Sequence, residues 1–415
     1  MQKKLKVLVL SDHALSTSGV GTQTRHLLTG LIKKGCWSFR QFGAALKHSD
    51  YRTVHVNDDF IIKPIDGFGN PEMLRVALAT EKPDLLFIFT DPRFFVWLFE
   101  MEDEIRQICP IAWWHVWDNY PYPDFNDPFY ESTDLINCHS HMTYEMLKDK
   151  HPGKTNWIPH SLPENLFFPF EPDQISNYKI QLLGEDRKNH FVGIWVNRNA
   201  KRKRPNDVLE SWALFLKELK SKKGHKNATL IMHTEPTDQE GPNLFKTAEM
   251  LGIQGNVFFS RERLEFEKMN VLYNISDFCL NMSYAEGFGL STLEAMMTGT
   301  PIIAAKTGGL TKQVWNSKTK KANGVALDID LQSLVGSQTV PFIYEDYVSN
   351  QNVAKGIMKL YKTSTKEKQR LSRQVLKYAK TEFNHQKTID LWHNTMIETL
   401  KKFKENNQKW NLIEI

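Results

Sequence analysis

Short apolar runs recur along this chain, each followed by a stretch whose apolar residues repeat at helical spacing, and this alternation restricts the fold more than any other feature. The first series of runs is Lys6 to Leu10, Leu85 to Phe89, Ile111 to Trp114, Leu135 to Cys138 and Thr155 to Ile158. Between the first two, Leu27, Leu28, Leu31 and Ile32 share one helical face, and Gly35 supplies a C-terminal stop. The chain therefore opens as strand, glycine-containing loop and helix. A second series follows at Phe191 to Val196, Thr229 to His233, Val257 to Ser260, Phe278 to Met282 and Pro301 to Ala305. After Val340 the pattern becomes mostly helical, through Asn350 to Tyr361, Lys366 to Phe383 and Lys387 to Asn406. Alternation of this kind builds parallel sheets covered by helices on both faces, so the expected class is α/β, with two doubly wound Rossmann-like domains facing across a cleft.

Pro159, Pro163, Pro169 and Pro172 crowd the segment between the two series, and their fixed φ and missing N–H disfavour helix and central strand. They place the domain boundary near residue 172, giving expected domains 1–172 and 173–386 and a last helical segment 387–415. The length of 415 residues and a hydrophobic fraction of 41% are enough for two cores and exclude wholesale disorder. Cys36, Cys109, Cys138 and Cys279 lie far apart and form no disulfide framework, and the apolar run after the N-terminal lysines is shorter than a signal segment, so a cytoplasmic location is expected. The most apolar stretch, Leu85 to Phe99, is broken by Asp91, Pro92 and Arg93 and is too short to cross a bilayer. Net charge is +5, but up to Glu185 there are 18 basic against 24 acidic residues, and after it 35 against 24. A basic second half suits a phosphate-bearing ligand; an acidic first half argues against a nucleic-acid grip there.

Four segments carry candidate chemistry. Directly after Phe278 to Met282 comes Ser283-Tyr-Ala-Glu-Gly-Phe-Gly-Leu-Ser-Thr-Leu-Glu-Ala-Met-Met-Thr-Gly-Thr-Pro301, in which Glu286 and Glu294 flank seven residues. Gly287 and Gly289, on either side of Phe288, permit close backbone approach, and a helix beginning near Leu290 directs free N–H groups at an anion. The two carboxylates can accept hydroxyls of a sugar and a ribose; they also read as a solvated loop acid and a first-turn dipole residue. Gly19, Val20 and Gly21 follow the first strand as a phosphate loop or a plain turn. Arg198 and the run Lys201-Arg-Lys-Arg204 follow the strand at 191–196, where a guanidinium fork and an ammonium suit a diphosphate; alone, the run also reads as a solvated face or nucleic-acid patch. His115 should stand at a sheet's C-terminal edge, as a ligand contact or as a histidine packed among Trp113, Trp114 and Trp117. Trp117, Asp118 and Asn119, in the aromatic stretch 113–130, are candidate acceptor contacts. His139 and His141 read as structural. Asp328-Ile-Asp330 has the spacing of a manganese motif, but alternate residues of a strand share a face, and no metal site is expected.

The segment EGFGLSTLEAMMTGTPIIAAKTGG resembles the E-x7-E signature of family 4 of the retaining glycosyltransferases, which have the GT-B fold. Ser18 to Gly21 resembles that family's N-terminal glycine loop, Arg198 with Lys203 its diphosphate-binding pair, and Ile158-Pro-His-Ser-Leu162 the end of its first domain, with His160 where many relatives carry Asn. The resemblance covers about residues 5 to 400. It implies a metal-independent, cofactor-free retaining transfer from a nucleotide diphosphate sugar to a hydroxyl acceptor, with Glu294 on the ribose, Arg198 and Lys203 on the diphosphate, Glu286 and His115 on the transferred sugar, and the Gly19 to Gly21 loop closing from the other domain. It implies no protein nucleophile, the leaving phosphate taking the acceptor proton, and a last helix, with its tail Trp410 to Ile415, returning to the first domain. A saccharide or other small or lipid-linked glycan is the favoured acceptor. A hydroxymethylated DNA base, and hence a nucleic-acid partner, is the alternative within the class; a nucleotide-sugar epimerase and a non-catalytic sugar-nucleotide binder are the alternatives outside it. Peripheral membrane association is compatible with the sequence, and oligomeric state is not legible in it.

Overall fold

The computed structural model describes residues 3–46 and 49–406, so the tail Trp410 to Ile415 lies outside the described residues. Two compact units emerge: one of residues up to Ser161, residues 336–342 and residues from His385 on, the other of Leu162–Val335 and Ile343–Asn384. The boundary falls at Ser161, before most of the proline-rich segment rather than at its end near 172. The reason is hydrophobic: Leu162 and Phe167 are buried in the core of the second unit, so Pro163, Pro169 and Pro172 belong to that unit's surface.

In the first unit eight strands form one sheet: β1 (Leu5–Asp12), β2 (Trp37–Ala44), β3 (Val54–Asn57), β4 (Phe60–Pro64), β5 (Leu85–Thr90), β6 (Ile111–His115), β7 (Leu135–Cys138) and β8 (Thr155–Trp157). Their order is β3-β4-β2-β1-β5-β6-β7-β8, parallel throughout except for β3 against β4. The order reverses direction at the β1–β5 pair, which makes the loops after those strands the topological switch point, where doubly wound sheets bind ligands. β2 escapes a reading by apolar runs because it carries buried Ser38 and Gln41. Gln41 donates to the Ser11 hydroxyl and to the Asp12 carbonyl, each at 2.8 Å, so its amide is satisfied inside the sheet.

The helix His385–Asn406 completes this unit from the far end of the chain. Ile389, Trp392, Met396 and Leu400 enter the same core as Phe87 and Trp114. The Trp392 ring lies edge-on to both, at 5.2 Å between centroids. At the helix start, His385 Nδ1 lies 3.0 Å from the Ser161 hydroxyl, and the Thr388 hydroxyl donates to the Pro159 carbonyl.

The second unit has six parallel strands, β9 (Phe191–Val196), β10 (Ala228–His233), β11 (Val257–Ser260), β12 (Phe278–Asn281), β13 (Ile302–Ala305) and β16 (Gly324–Leu327), with the small antiparallel pair β14 (Trp315–Asn316) and β15 (Lys321–Ala322) inserted before the last. The order β11-β10-β9-β12-β13-β16 is the doubly wound arrangement with its reversal between β9 and β12. Gly193 is required there, because a Cβ would sit 2.5 Å from the Phe278 ring on the neighbouring strand. The mostly helical region after Val340 starts at Asn350, as expected, but is preceded by an antiparallel hairpin of β17 (Leu331–Val335) and β18 (Ile343–Tyr347), followed by the helices Asn350–Tyr361 and Thr365–Glu382. Arg204 secures it, donating to the Val348 carbonyl at 2.9 Å with its guanidinium 5.4 Å from the Tyr284 and Tyr347 rings.

Trp392→Ala should destabilise the first unit by about 3–5 kcal/mol, as for other fully buried aromatic truncations. Urea unfolding should show a transition moved to lower denaturant for the first unit, with the second unit's transition unmoved.

Candidate functional site

At the second unit's switch point, the loop after β9 meets the loop after β12. The first loop closes as a 3-10 turn, Lys201–Lys203, and Arg204 takes a left-handed conformation (φ 55°) before the helix Pro205–Lys223 starts at Pro205. That geometry sends consecutive cations in different directions. Arg204 is buried and structural, as described above. Lys203 forms a close ion pair with Glu286, both largely buried. Arg202 donates to the Ala285 carbonyl at 2.6 Å and has its guanidinium 3.9 Å from the other Glu286 oxygen. Tyr284 N–H returns a bond to the Arg202 carbonyl at 3.0 Å.

Arg198 takes another path. Its guanidinium forks onto Asp238, at 2.9 and 3.3 Å, and reaches Glu240 at 3.1 Å, with more than half of its side chain exposed. The cations that the structure gathers on Glu286 are thus Lys203 and Arg202, a residue to which the sequence analysis assigned no role of its own.

Burial pushes the Glu286 carboxyl up, but Lys203, Arg202 and, more weakly, Asn281 outweigh it and hold the group below its ordinary value. Glu294 is the reverse case. It lies in the second turn of the helix Leu290–Met297, and burial pushes its carboxyl up to about 7 against the opposing hydrogen bond from the Tyr273 hydroxyl at 2.6 Å. Some exposure of the residue remains, so solvent moderates that burial. One glutamate is therefore held as a carboxylate and the other stands near half-protonation at neutral pH.

Gly287, Phe288 and Gly289, between the two glutamates, are fixed from behind. The buried Gln313 amide donates to the Phe288 and Gly289 carbonyls at 2.7 and 3.1 Å, while its oxygen accepts from Thr292 at 2.7 Å. Gly289 has φ 86° and caps the helix that begins at Leu290. Gly309 N–H donates to the Glu286 carbonyl at 2.8 Å, and a Cβ at 309 would stand 2.2 Å from the Gly287 carbonyl oxygen.

In the first unit Gly19 and Gly21 occupy the first turn of the helix Gly19–Ile32 rather than a loop, with Val20 between them. Ser18 is the N-cap: its hydroxyl accepts from Gly21 N–H at 2.9 Å and donates to Asp12 at 2.5 Å. Gly21 is needed for packing, since a Cβ there would meet the His13 carbonyl at 2.5 Å and the Ser16 hydroxyl at 2.3 Å. Gly19 is exposed at the helix start, beside the unit's own switch point.

His115 ends β6, yet it is wholly enclosed. Its ring is 4.2 Å from Trp113, and Nε2 lies 3.0 Å from the Tyr130 hydroxyl. Burial, and then His139, hold it well below the ordinary histidine value, so it is neutral. Of the two sequence readings for His115, this is the packed one. Trp117 is also buried, 5.8 Å from the Phe125 ring, and only Asp118 and Asn119 of the three acceptor candidates retain appreciable exposure. His139 stacks on His160 at 4.5 Å, consistent with a structural role. Asp328 and Asp330 are not on a strand: Asp328 pairs with Lys306, and Asp330 accepts from Ser349 N–H and the Asn352 amide, anchoring the following helix. Among the described residues there is no cluster of three or more metal-ligating side chains, and no helix is long and apolar enough to cross a membrane.

Residues 183–377 match the family model described as Glycosyl transferases group 1, which places the match on the unit that holds the Lys203–Glu286 pair. Among curated proteins, the chain is similar to a D-inositol 3-phosphate glycosyltransferase of Rhodococcus erythropolis, 41% identical over 76 residues covering 18% of this chain and 17% of the relative. It is also similar to the N-acetyl-alpha-D-glucosaminyl L-malate synthase of Bacillus anthracis, 24% identical over 54% of this chain and 58% of the relative. The chain thus spans less than two thirds of the length of each. Among solved structures, Anabaena Alr3699/HepE in complex with UDP and glucose superposes with a TM-score of 0.69 at 18% identity, over 95% of this chain and all of that one. The architecture is therefore that of the GT-B glycosyltransferases, with two Rossmann-like domains.

Lys203→Met should invert the pH dependence that Glu286 contributes to stability. In the wild type the folded carboxyl titrates below its unfolded value, so its contribution is present above the unfolded value and lost as pH falls through the folded one. With Lys203 gone and burial dominant, the folded value lies above the unfolded one, and stability is lost as pH rises. Denaturation should show a loss of about 3–5 kcal/mol at pH 8 that shrinks in acid, and adding Glu286→Gln should restore most of it.

Proposed function

We propose that this chain is a group 1 glycosyltransferase that moves a sugar, with retention, from a nucleotide diphosphate sugar to a hydroxyl acceptor. The observation that carries the reading is the junction at the second unit's switch point, where Lys203 and Arg202 converge on Glu286 in front of the fixed Gly287–Gly289 backbone. Negative charge develops on the departing diphosphate as the sugar C1–O bond breaks, and fixed cations with backbone N–H groups at the start of the Leu290–Met297 helix stabilise such charge without reorganisation. The acceptor oxygen attacks C1 from the face that the diphosphate leaves, and a leaving phosphate oxygen takes the acceptor proton. Glu286 orients Lys203 and accepts sugar hydroxyls; it is not the nucleophile. Glu294 accepts from the ribose.

Arg198 joins the diphosphate by leaving Asp238 and Glu240. Side-chain cations thereby do what a metal does in other transferases, and turnover should persist in EDTA. Supporting a uridine diphosphate donor is the UDP-and-glucose complex of the structurally similar Anabaena protein; supporting a small hydroxylated acceptor are the inositol phosphate and malate in the names of the curated relatives. The acidic composition of the first half does not supply the cationic surface that a nucleic-acid acceptor needs, and so supports a saccharide or other small or lipid-linked acceptor.

The test is nucleotide diphosphate release from a panel of UDP, GDP, ADP and dTDP sugars without acceptor. One donor should be hydrolysed slowly, EDTA should not matter, and Glu286→Ala should abolish release. No release together with no donor binding by calorimetry would overturn the reading. Once an acceptor is found, Lys203→Ala should lower kcat by about 10²–10³-fold, the range for removing one transition-state charge contact. Arg198→Ala should cost less, because Arg198 must first give up an exposed ion pair.

Glu294 makes a separate prediction. Its folded value of about 7 leaves a substantial protonated fraction at pH 6.5, and a ribose hydroxyl donates more strongly to the ionised form than to the acid. Binding of a UDP sugar, which has no ionisation of its own in this range, should release a proton at pH 6.5. Calorimetry in buffers of different ionisation enthalpy should detect it, and Glu294→Gln should remove it.

A further inference from the structure

The helix Pro205–Lys223 borders a groove of about 580 Å³ whose lining includes none of the residues of the Lys203–Glu286 site. Leu214, Leu251 and Ile253 form an apolar floor, and Lys217, Lys220 and Lys226 stand on its rim. No carboxylate among the described residues pairs with those three lysines. The acid that borders the groove, Glu210, already accepts from the Asn350 amide at 2.8 Å. Neighbouring charges are disposed differently: Lys222 is paired with Glu218 one turn away. Beside the groove, at the end of the helix Leu244–Met250, Met250 is 76% exposed, the most exposed large apolar side chain among the described residues, and its neighbour Leu251 is part of the floor.

We infer that this face docks on an anionic bilayer surface. Three unneutralised ammonium groups attract lipid phosphates, and the apolar floor with the protruding Met250 offers area for the headgroup and acyl boundary. Duplex nucleic acid presents the same phosphate charge but has no use for an exposed methionine and an apolar floor, which is why the bilayer is the occupant chosen. The inference is independent of the reaction proposed above, because none of these residues belongs to the Lys203–Glu286 site.

Cosedimentation of the full chain with phosphatidylcholine vesicles, with and without phosphatidylglycerol, tests it. Binding should require phosphatidylglycerol and weaken with salt. Lys217→Glu with Lys220→Glu should lower the partition coefficient by about tenfold or more, as expected for two lysines near an anionic surface. Met250→Asp should lower it in a way that low salt does not restore. Both variants should keep the wild-type thermal unfolding midpoint and donor affinity. No binding to phosphatidylglycerol vesicles, or binding undiminished in the double lysine variant, would overturn the inference. So would competition by a DNA duplex that binds more tightly than the vesicles and is insensitive to Met250→Asp.

Discussion

The enclosed ion pair between Lys203 and Glu286 ties together two segments that the chain separates by 83 residues. Each partner lies in a loop that follows a strand at the reversal of the sheet, and the pair is reinforced by hydrogen bonds in both directions, Arg202 side chain to the Ala285 carbonyl and Tyr284 N–H to the Arg202 carbonyl. An ion pair removed from water repays its desolvation only when geometry and supporting hydrogen bonds are good. Here the support extends outward: Arg204 in its left-handed conformation, the Tyr284 and Tyr347 rings around it, and the Gln313 amide under the glycine backbone all hold the two loops at one separation. The arrangement is built to keep charge fixed before any ligand arrives.

Much of this was legible in the sequence because parallel strands buried on both faces read as apolar runs, and because function-bearing loops follow such strands. Glu286, Lys203 and the glycines between 287 and 289 were found by that logic. Arg202 was given no role, since the directions of the consecutive cations 202 to 204 are decided by one 3-10 turn and one positive φ at Arg204, which spacing does not encode. β2 was missed because Gln41 is satisfied by Ser11 and Asp12 on the adjacent strand, a long-range compensation invisible locally. The hairpin β17–β18 was assigned no strands in the sequence, and Asp330 was read as a strand residue, whereas its task is to receive Ser349 and Asn352 from a segment 19 and 22 residues on.

The first unit's histidines show the same limit from another side. His115, His139 and His160 gather with Trp113 and Trp114 in a stacked aromatic core, and burial keeps His115 and His160 neutral. A histidine at the end of a strand suggests chemistry when read by position alone. Its surroundings, Trp113 on one side and the Tyr130 phenol on the other, are contributed by the sheet and a later helix, and they make it part of the core.

The helix that completes the first unit is also the last part of it to be synthesised. A nascent chain carrying residues 1–161 has Phe87 and Trp114 in hand but lacks Ile389, Trp392, Met396 and Leu400, which cover them. Every residue of the second unit emerges before those four do. The unit that begins first on the ribosome therefore closes last, with an aromatic patch uncovered through the making of the entire second unit. That interval is when the chain is most exposed to aggregation, and when chaperone contact would matter most.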